Sequence, residues 1–277
     1  MHRYLFLAAV LSSGASLCAQ GTPPLTADQI MERVAANQDR TEESRKQYVY
    51  KQHIHVVSRK TNGKLMQEEI ADYDVFAAEH GSSKKLAKLS GKYWHNRQYL
   101  TYLAEATPDS GSLDGELVSE FRDDLVNEKT KDGLAAGLFP LTSKQQERYQ
   151  FKLLGDQTLN GRNVYRIRFQ PKDKSDIDWA GEASIDKEDF QPVTIFTNLS
   201  RKIPFLIRTA LGTNLPGVGF SVTYRKQADG VWFPSTFGTE FRLRALFFIN
   251  RDISVSLMNS DFEHTHVDST IHYAAVQ

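Results

Sequence analysis

Alternation of apolar and polar residues, interrupted by two-residue turn signals, is the feature that most restricts how this chain can fold. Within Tyr48–Val56, tyrosine, isoleucine and valine alternate with lysine and histidine, which is the period of a strand with one buried face. Asn62-Gly63 follows, a dipeptide typical of tight hairpins, and Leu65–Phe76 is the predicted returning strand. Asn160-Gly161 predicts a second hairpin, between strands at Tyr149–Leu159 and Asn163–Phe169.

The same pattern continues towards the C-terminus, with a further turn at Ala228-Asp229-Gly230. Strands are predicted at Gly181–Asp186, Pro192–Leu199, Phe220–Arg225, Val231–Arg244 and Phe247–Met258. Six or more short strands at hairpin spacing imply an antiparallel sheet that meanders along the chain. The predicted fold class is therefore α+β, mainly antiparallel β.

One helix is clear and the middle of the chain is harder to interpret. Thr26–Lys46 predicts an amphipathic helix, with Thr26 as N-cap and Gln29 completing a capping box. A polar turn is expected at Glu79–Lys85, then a short strand around Leu86–Leu89. Glu116–Lys129 has helical spacing, whereas Gly133–Leu141 fits either a mobile flap or a buried connection.

The N-terminus resembles a secretion signal. His2 and Arg3 precede a short apolar run, Tyr4–Leu11, and small residues follow it. We therefore expect a signal peptide at residues 1–20, a single domain at 21–277, and work in the periplasm or outside the cell. Lipid attachment at Cys18 is the less favoured alternative, because Leu17 stands where a small residue is needed. No later segment is long and apolar enough to predict a membrane-spanning helix.

The charge balance argues against polyanionic partners. The chain has 34 basic and 34 acidic residues, so no positive surplus exists to hold nucleic acid. Cys18 is the only cysteine, so loss of the signal peptide leaves a chain without thiols or disulfides.

Candidate catalytic and metal-binding residues are sparse. His53 and His55 share one strand face, and His264, His266 and Asp268 lie near the C-terminus, but a zinc site needs three or four converging ligands. Close carboxylate pairs occur at Asp72/Asp74 and Asp123/Asp124, as on many charged surfaces. Serine-hydrolase, zinc-protease and phosphate-loop motifs are not found in the sequence. We therefore predict no catalytic residue, metal or cofactor, and a protein that is not an enzyme.

Four segments together resemble a known family: TADQIMERVAANQ, LLGDQTLNGRNVYRIRFQPK, WAGEASIDKEDFQPVTI and YRKQADGVWFPSTF. They begin at Thr26, Leu153, Trp179 and Tyr224. The pattern is similar to that of the periplasmic LolA-like superfamily, the carriers that sort outer-membrane lipoproteins. The chain is longer than the sorting carrier around Gly81–Ser143, so no functional position is transferred.

The resemblance implies a curved, unclosed half-barrel sheet wrapped around one or more helices, with acyl chains or another apolar ligand between them. It implies a periplasmic carrier or sensor of a lipid, a lipidated protein or another apolar ligand. An envelope interaction protein without a ligand is the alternative, and an envelope hydrolase is less favoured. Segments Gly133–Pro140 and Pro204–Gly219 are candidate covers or ordinary core connections.

Aromatic residues on or beside the predicted strands are the candidate lining of the apolar cavity, although each is also a plausible core residue. The set comprises Trp94, Trp179, Phe196, Phe205, Phe220, Trp232 and Phe237. Arg166 and Arg168 alternate with apolar residues, so they mark either a rim for anionic headgroups or a solvated face.

Overall fold

The computed structural model of this 277-residue chain describes residues 24–77, 82–104, 112–126, 139–173, 178–199, 213–214, 219–245 and 249–265. Outside these residues lie the predicted signal peptide (1–20) and Cys18, together with Phe205, His266 and Asp268. Most of the two predicted covering segments lies outside them as well.

The described strands form one antiparallel sheet. They are β1 (Tyr48–Lys60), β2 (Leu65–Ala77), β3 (Ser82–His95), β4 (Gln98–Ala104), β5 (Tyr149–Leu159), β6 (Arg162–Pro171), β7 (Trp179–Asp186), β8 (Pro192–Leu199), β9 (Thr213–Asn214), β10 (Gly219–Lys226), β11 (Trp232–Ala245) and β12 (Ile249–His264). Their spatial order is β4-β3-β2-β1-β12-β11-β10-β8-β7-β6-β5, with β9 paired to β11. The edges β4 and β5 do not pair, so the sheet is open. The predicted fold class is confirmed.

An unbroken apolar row crosses the inner face of the sheet. It follows from the strand register: each member is the cross-strand partner of the next, and all but the last are buried. From β3 to β5 the row is Leu89, Ala71, Ile54, Leu257, Phe237, Val222, Ile195, Ala183, Ile167 and Leu153. Because side chains alternate between faces, this row fixes which neighbouring residues point inward and which point outward.

Helix α1 (Ala27–Arg45) covers one side of the inner face. Thr26 caps it, and the predicted capping box with Gln29 is present. Ile30, Met31 and Val34 are buried where the helix packs over β5. In the middle of the helix, Asn37 Nδ2 donates to the Asp189 carbonyl at 2.6 Å, which ties α1 to the β7–β8 turn.

Helix α2 (Leu113–Val126) covers the other side, over β1 and β2. It starts three residues before the predicted Glu116, and residues after Val126 lie outside the described part. A third, short helix, α3 (Ser143–Gln146), packs against α1 and β5.

One part of the sheet differs from the prediction. Ser82–Lys85, expected in a turn, belongs to the long strand β3, and β4 was not predicted at all. The connecting turn, Asn96-Arg97, has positive φ at both residues (45° and 68°) without a glycine, so it lacks the usual hairpin signature.

Candidate functional site: the inner face of the sheet

Three of the predicted aromatic residues meet on the inner face. Trp179 packs edge-on against Phe220 with ring centroids 4.6 Å apart, and Phe220 stacks on Phe237 at 5.2 Å. Phe237 belongs to the apolar row and is buried, whereas Trp179 and Phe220 are only partly buried. These three rings form a continuous aromatic surface across β7, β10 and β11.

The aromatic surface extends towards α2. Phe121 of this helix packs edge-on against Phe241 of β11, with centroids 5.5 Å apart. Ile253 and Val255 of β12 continue the same inward-facing set and are buried. The inner face of β10–β12 therefore lies between α1 and α2, and its apolar side chains are interspersed with the buried polar side chains of Thr239 and Asn259. This is the candidate functional site.

Trp232 is buried at one end of the sheet, where polar contacts hold it. Its Nε1 donates to Asp189 Oδ2 at 3.2 Å, and the Arg162 guanidinium lies 5.1 Å from its ring centroid. Arg45 of α1 donates to the Trp232 carbonyl at 3.2 Å. Trp232 thus links α1 to the sheet and is not part of the aromatic surface formed by Trp179, Phe220 and Phe237.

Trp94 and Phe196 point to the outer face. Trp94 lies beside Tyr99, and the Lys64 ammonium sits 3.3 Å from the centroid of its ring. Phe196 follows buried Ile195, is 58% exposed, and borders an open outer groove of about 510 Å³ with Ser221 and Gly238. The structure therefore separates these two rings from the inner aromatic surface.

The N-terminal end of α2 is held to the sheet by a buried ion pair. Arg251 of β12 donates its Nη2 to the Asp114 Oδ2 of α2 at 2.9 Å, and the two side chains form an ion pair. Ser58 of β1 donates its hydroxyl to the same carboxylate at 2.6 Å. All three side chains are buried or nearly so, so this contact fixes where α2 starts on the sheet.

A second buried pair holds the middle of α2. Arg122 Nη1 donates to Glu69 Oε1 of β2 at 2.7 Å, and Tyr102 of β4 donates its hydroxyl to Glu69 Oε2 at 2.6 Å. Glu69 is only 1% exposed. Burial, followed by the hydrogen bond to Glu69, raises the pKa of Tyr102 well above the usual tyrosine range. The neutral phenol is therefore kept as a donor.

The predicted histidine pairs lie elsewhere. His53 and His55 are on the outer face, where ring nitrogens contact Asp72 at 2.7 Å and Glu68 at 2.9 Å. His264 contacts Gln47 at 3.0 Å. Within the described ranges, no group of three or more His, Cys, Asp or Glu side chains converges as metal ligands would.

Arg166 and Arg168 also lie on the outer face, where they share the Glu182 carboxylate at 2.8 Å each. These hydrogen bonds, with Arg168 first, lower the pKa of Glu182. The carboxylate is thereby kept ionised between the two guanidinium groups.

The polar contacts beneath α2 were not predicted from the sequence. Gln67 and Glu69 stand in a polar run, QEE, within β2, and no pattern shows which of them point inward. Glu69 and Arg122 are 53 positions apart in the chain. Only the register of β2 against β1 and β3 places them on the inner face.

No protein-family model and no curated protein matches the chain. Among solved structures it is similar to a putative outer-membrane lipoprotein-sorting protein domain from Vibrio parahaemolyticus, with 13% identity, 86% of this chain and 93% of that chain covered, and a TM-score of 0.40. A LolA superfamily protein from Nitrosomonas europaea has 12% identity, coverages of 88% and 96%, and a TM-score of 0.35.

A DUF1329 family protein from Desulfovibrio piger has 11% identity, coverages of 87% and 94%, and a TM-score of 0.38. No helix in the described ranges has the length and apolar character needed to span a membrane. At these identities the likenesses concern the fold alone. In its fold the chain resembles LolA-superfamily proteins, as the sequence predicts.

Proposed function

We propose that this chain is a periplasmic carrier or sensor that binds a lipid, a lipidated protein or another apolar ligand on the inner face of its sheet. The periplasmic location is proposed from the N-terminal sequence, Met1–Gln20, which has the composition of a cleavable signal. The role is binding and not catalysis.

The observation that carries the proposal is the width of the apolar row. Eleven strands at about 4.8 Å spacing make a surface roughly 48 Å across. Helix α2 packs over β1 and β2, while α1 packs over β5 and reaches the start of β11, where Arg45 donates to the Trp232 carbonyl. The inward-facing apolar side chains of β10–β12 lie between these helices and are shielded from water, as the walls of an apolar binding site are.

Long acyl chains suit such a surface. Binding would gain about 25 cal/mol for each Å² of apolar area removed from water, before the costs of association are subtracted. The Trp179–Phe220–Phe237 surface offers flat rings and no charged group, so it favours hydrocarbon over any particular headgroup.

An envelope interaction protein without a ligand is the competing function. Phe237, Leu257 and Ile253 are each at most 5% exposed to solvent, as side chains in a filled protein interior are. In that case the outer face or the open edges would meet the partner.

Mass spectrometry of lipids extracted from the purified mature protein, followed by titration with a fluorescent fatty acid, separates the two. The carrier predicts co-purified acyl lipid and saturable probe binding. A clean protein that does not bind the probe would refute the carrier and leave the interaction protein.

Phe220 and Phe196 provide a matched pair of variants, since both are phenylalanines on adjacent strands with opposite faces. Phe220→Ala should weaken probe binding about tenfold, which corresponds to the loss of part of one buried ring. Phe196→Ala should leave binding unchanged. Circular dichroism melts establish that both variants are folded.

A further inference from the structure

Strand β4 forms one open edge of the sheet, and its sequence contains none of the usual features that protect such an edge. An edge strand presents N–H and C=O groups that can pair with a further strand, and proteins commonly prevent this with charged residues, prolines or bulges. Gln98–Ala104 contains no charged residue and no proline, and its pairing with β3 has no register shift. Within the described ranges, β3 is the only strand that pairs with β4.

The opposite edge strand, β5, does carry these protective features. Its register against β6 shifts between Leu153 and Gly155, and Gly155 has a φ of +135°, so the strand is irregular there. Lys152 and Asp156 lie on either side of the irregularity, and both are exposed. One edge of the sheet is therefore protected against pairing, whereas the β4 edge is regular, uncharged and open.

The outward-facing side chains of β4 include large exposed apolar groups. Leu103 is 74% exposed and Tyr99 is 41% exposed. Both point to the outer face, because side chains alternate along a strand and Tyr102 points inward to Glu69. Thr101 lies between them on the outer face and is exposed as well. A partner strand at this edge would shield both apolar side chains from water.

The order of the side chains makes β4 complementary to a second copy of itself. In an antiparallel pair centred on Thr101, Tyr99 faces Leu103 of the second copy on the outer face, and Leu100 faces Tyr102 of the second copy on the inner face. Thr101 faces its own counterpart on the two-fold axis. Each tyrosine thus meets a leucine and threonine meets threonine, and cross-strand contacts of these kinds stabilise antiparallel sheets.

We propose that two copies of this chain form a weak two-fold symmetric dimer in which β4 pairs antiparallel with β4, with Thr101 on the axis. Because both copies use the same edge, the assembly closes at two chains. Pairing of β4 with β5 of another copy would instead grow without end, and the irregularity in β5 opposes it. A strand of seven residues supplies only part of the roughly 1,200–2,000 Å² that stable interfaces bury, so the dimer should dissociate on dilution.

Sedimentation equilibrium of the mature protein tests this proposal without any variant. The weight-average mass should rise from that of one chain towards that of two as the concentration increases, with a dissociation constant of roughly 10–100 µM. The measurement does not depend on ligand binding, so its outcome is separate from that of the proposed function.

A pair of lysine variants then locates the interface. Thr101→Lys places two like charges directly opposite each other on the axis, and it should raise the dissociation constant about tenfold or more. Thr158→Lys is the matched control, because Thr158 is an exposed threonine on the opposite edge strand, and it should leave the dissociation constant unchanged. Circular dichroism melts establish that both variants are folded.

A pair of cysteine variants tests the register. The mature protein contains no other cysteine, since Cys18 lies in the predicted signal peptide. Two Thr101→Cys residues would face each other with Cα atoms about 4.5–5.5 Å apart, so oxidation should link the chains by a disulfide. Two Leu103→Cys residues would lie four positions apart along the paired strands, or roughly 14 Å, which is too far for a disulfide.

A mass of one chain at every concentration would overturn the inference, and so would growth to masses beyond that of two chains. Equal dissociation constants for Thr101→Lys and Thr158→Lys would also overturn it. So would a disulfide that forms as readily in Leu103→Cys as in Thr101→Cys.

Discussion

The ion pair between Arg122 and Glu69 gives the sharpest prediction about stability. In Arg122→Met the helix keeps a side chain of similar length, but the Glu69 carboxylate, 1% exposed, loses the partner at 2.7 Å. Removing one member of a buried pair typically costs about 3–5 kcal/mol. Because Tyr102 still donates to Glu69, we expect a loss near 3 kcal/mol, or a Tm lower by roughly 6–12 °C for a chain of this size.

A substitution of the other member of the pair, Glu69→Gln, should lower the free energy of unfolding much less. In Glu69→Gln an acceptor oxygen remains for Tyr102 or Arg122, and Arg122 keeps Asp123, whose Oδ1 lies 2.7 Å from Nη2. We expect a loss of about 1 kcal/mol. The double variant Arg122→Met with Glu69→Leu leaves no buried charge unpaired, so it should be more stable than Arg122→Met alone.

Urea unfolding of the mature chain, followed by circular dichroism, measures all three free energies. The reasoning is refuted if Arg122→Met costs no more than Glu69→Gln and the double variant is no more stable than Arg122→Met alone. That result would mean that the pair is solvated and does not hold α2 to the sheet.

Three further substitutions or titrations test other contacts. Gly91→Ala should destabilise the protein by about 1–3 kcal/mol, because a Cβ there would lie 2.1 Å from Cζ of Tyr102 and displace that ring from Glu69. An unchanged free energy of unfolding in urea would contradict this. Above pH 10 stability should fall, because the phenols of Tyr73, Tyr102 and Tyr149, whose pKa is raised, stay protonated in the fold and ionise when the chain unfolds. An ultraviolet titration should show these three tyrosines resisting ionisation until the protein unfolds. The lowered pKa of Glu182 contributes stability above about pH 4.3, and this stability is lost as the pH falls further. Glu182→Gln should therefore slightly reduce the loss of stability at acid pH. An identical dependence of stability on pH would argue against the pairing of Glu182 with Arg168 and Arg166.

The local signals in the sequence predicted most of the fold. Asn62-Gly63 and Asn160-Gly161 form the expected turns, with positive φ at Gly63 and Gly161. The capping box of Thr26 and Gln29 correctly predicts the residue at which α1 starts. The turn at Asn96-Arg97 carries no such signal, because its positive φ values are adopted without glycine. That is why β4 was missed.

The faces of the strands were harder to predict than their positions. In Pro192–Leu199 the neighbours Ile195 and Phe196 are both apolar, so alternation alone does not say which one points inward. The register with β7 and β10 buries Ile195 and exposes Phe196. The contact between Glu69 and Arg122 depends on helix placement, which no local pattern encodes.

The central claim is that the inner face between α1 and α2 binds an apolar chain, and photo-crosslinking tests it most directly. A fatty acid with a diazirine in its chain is bound to the mature protein, activated by light, and mapped by peptide mass spectrometry. We predict labels at inward positions of β10 and β11, namely Phe220, Val222 and Phe237, and none at the alternating outward residues Phe196 and Ser221. Labels concentrated on the outward residues, or no saturable labelling, would contradict the account.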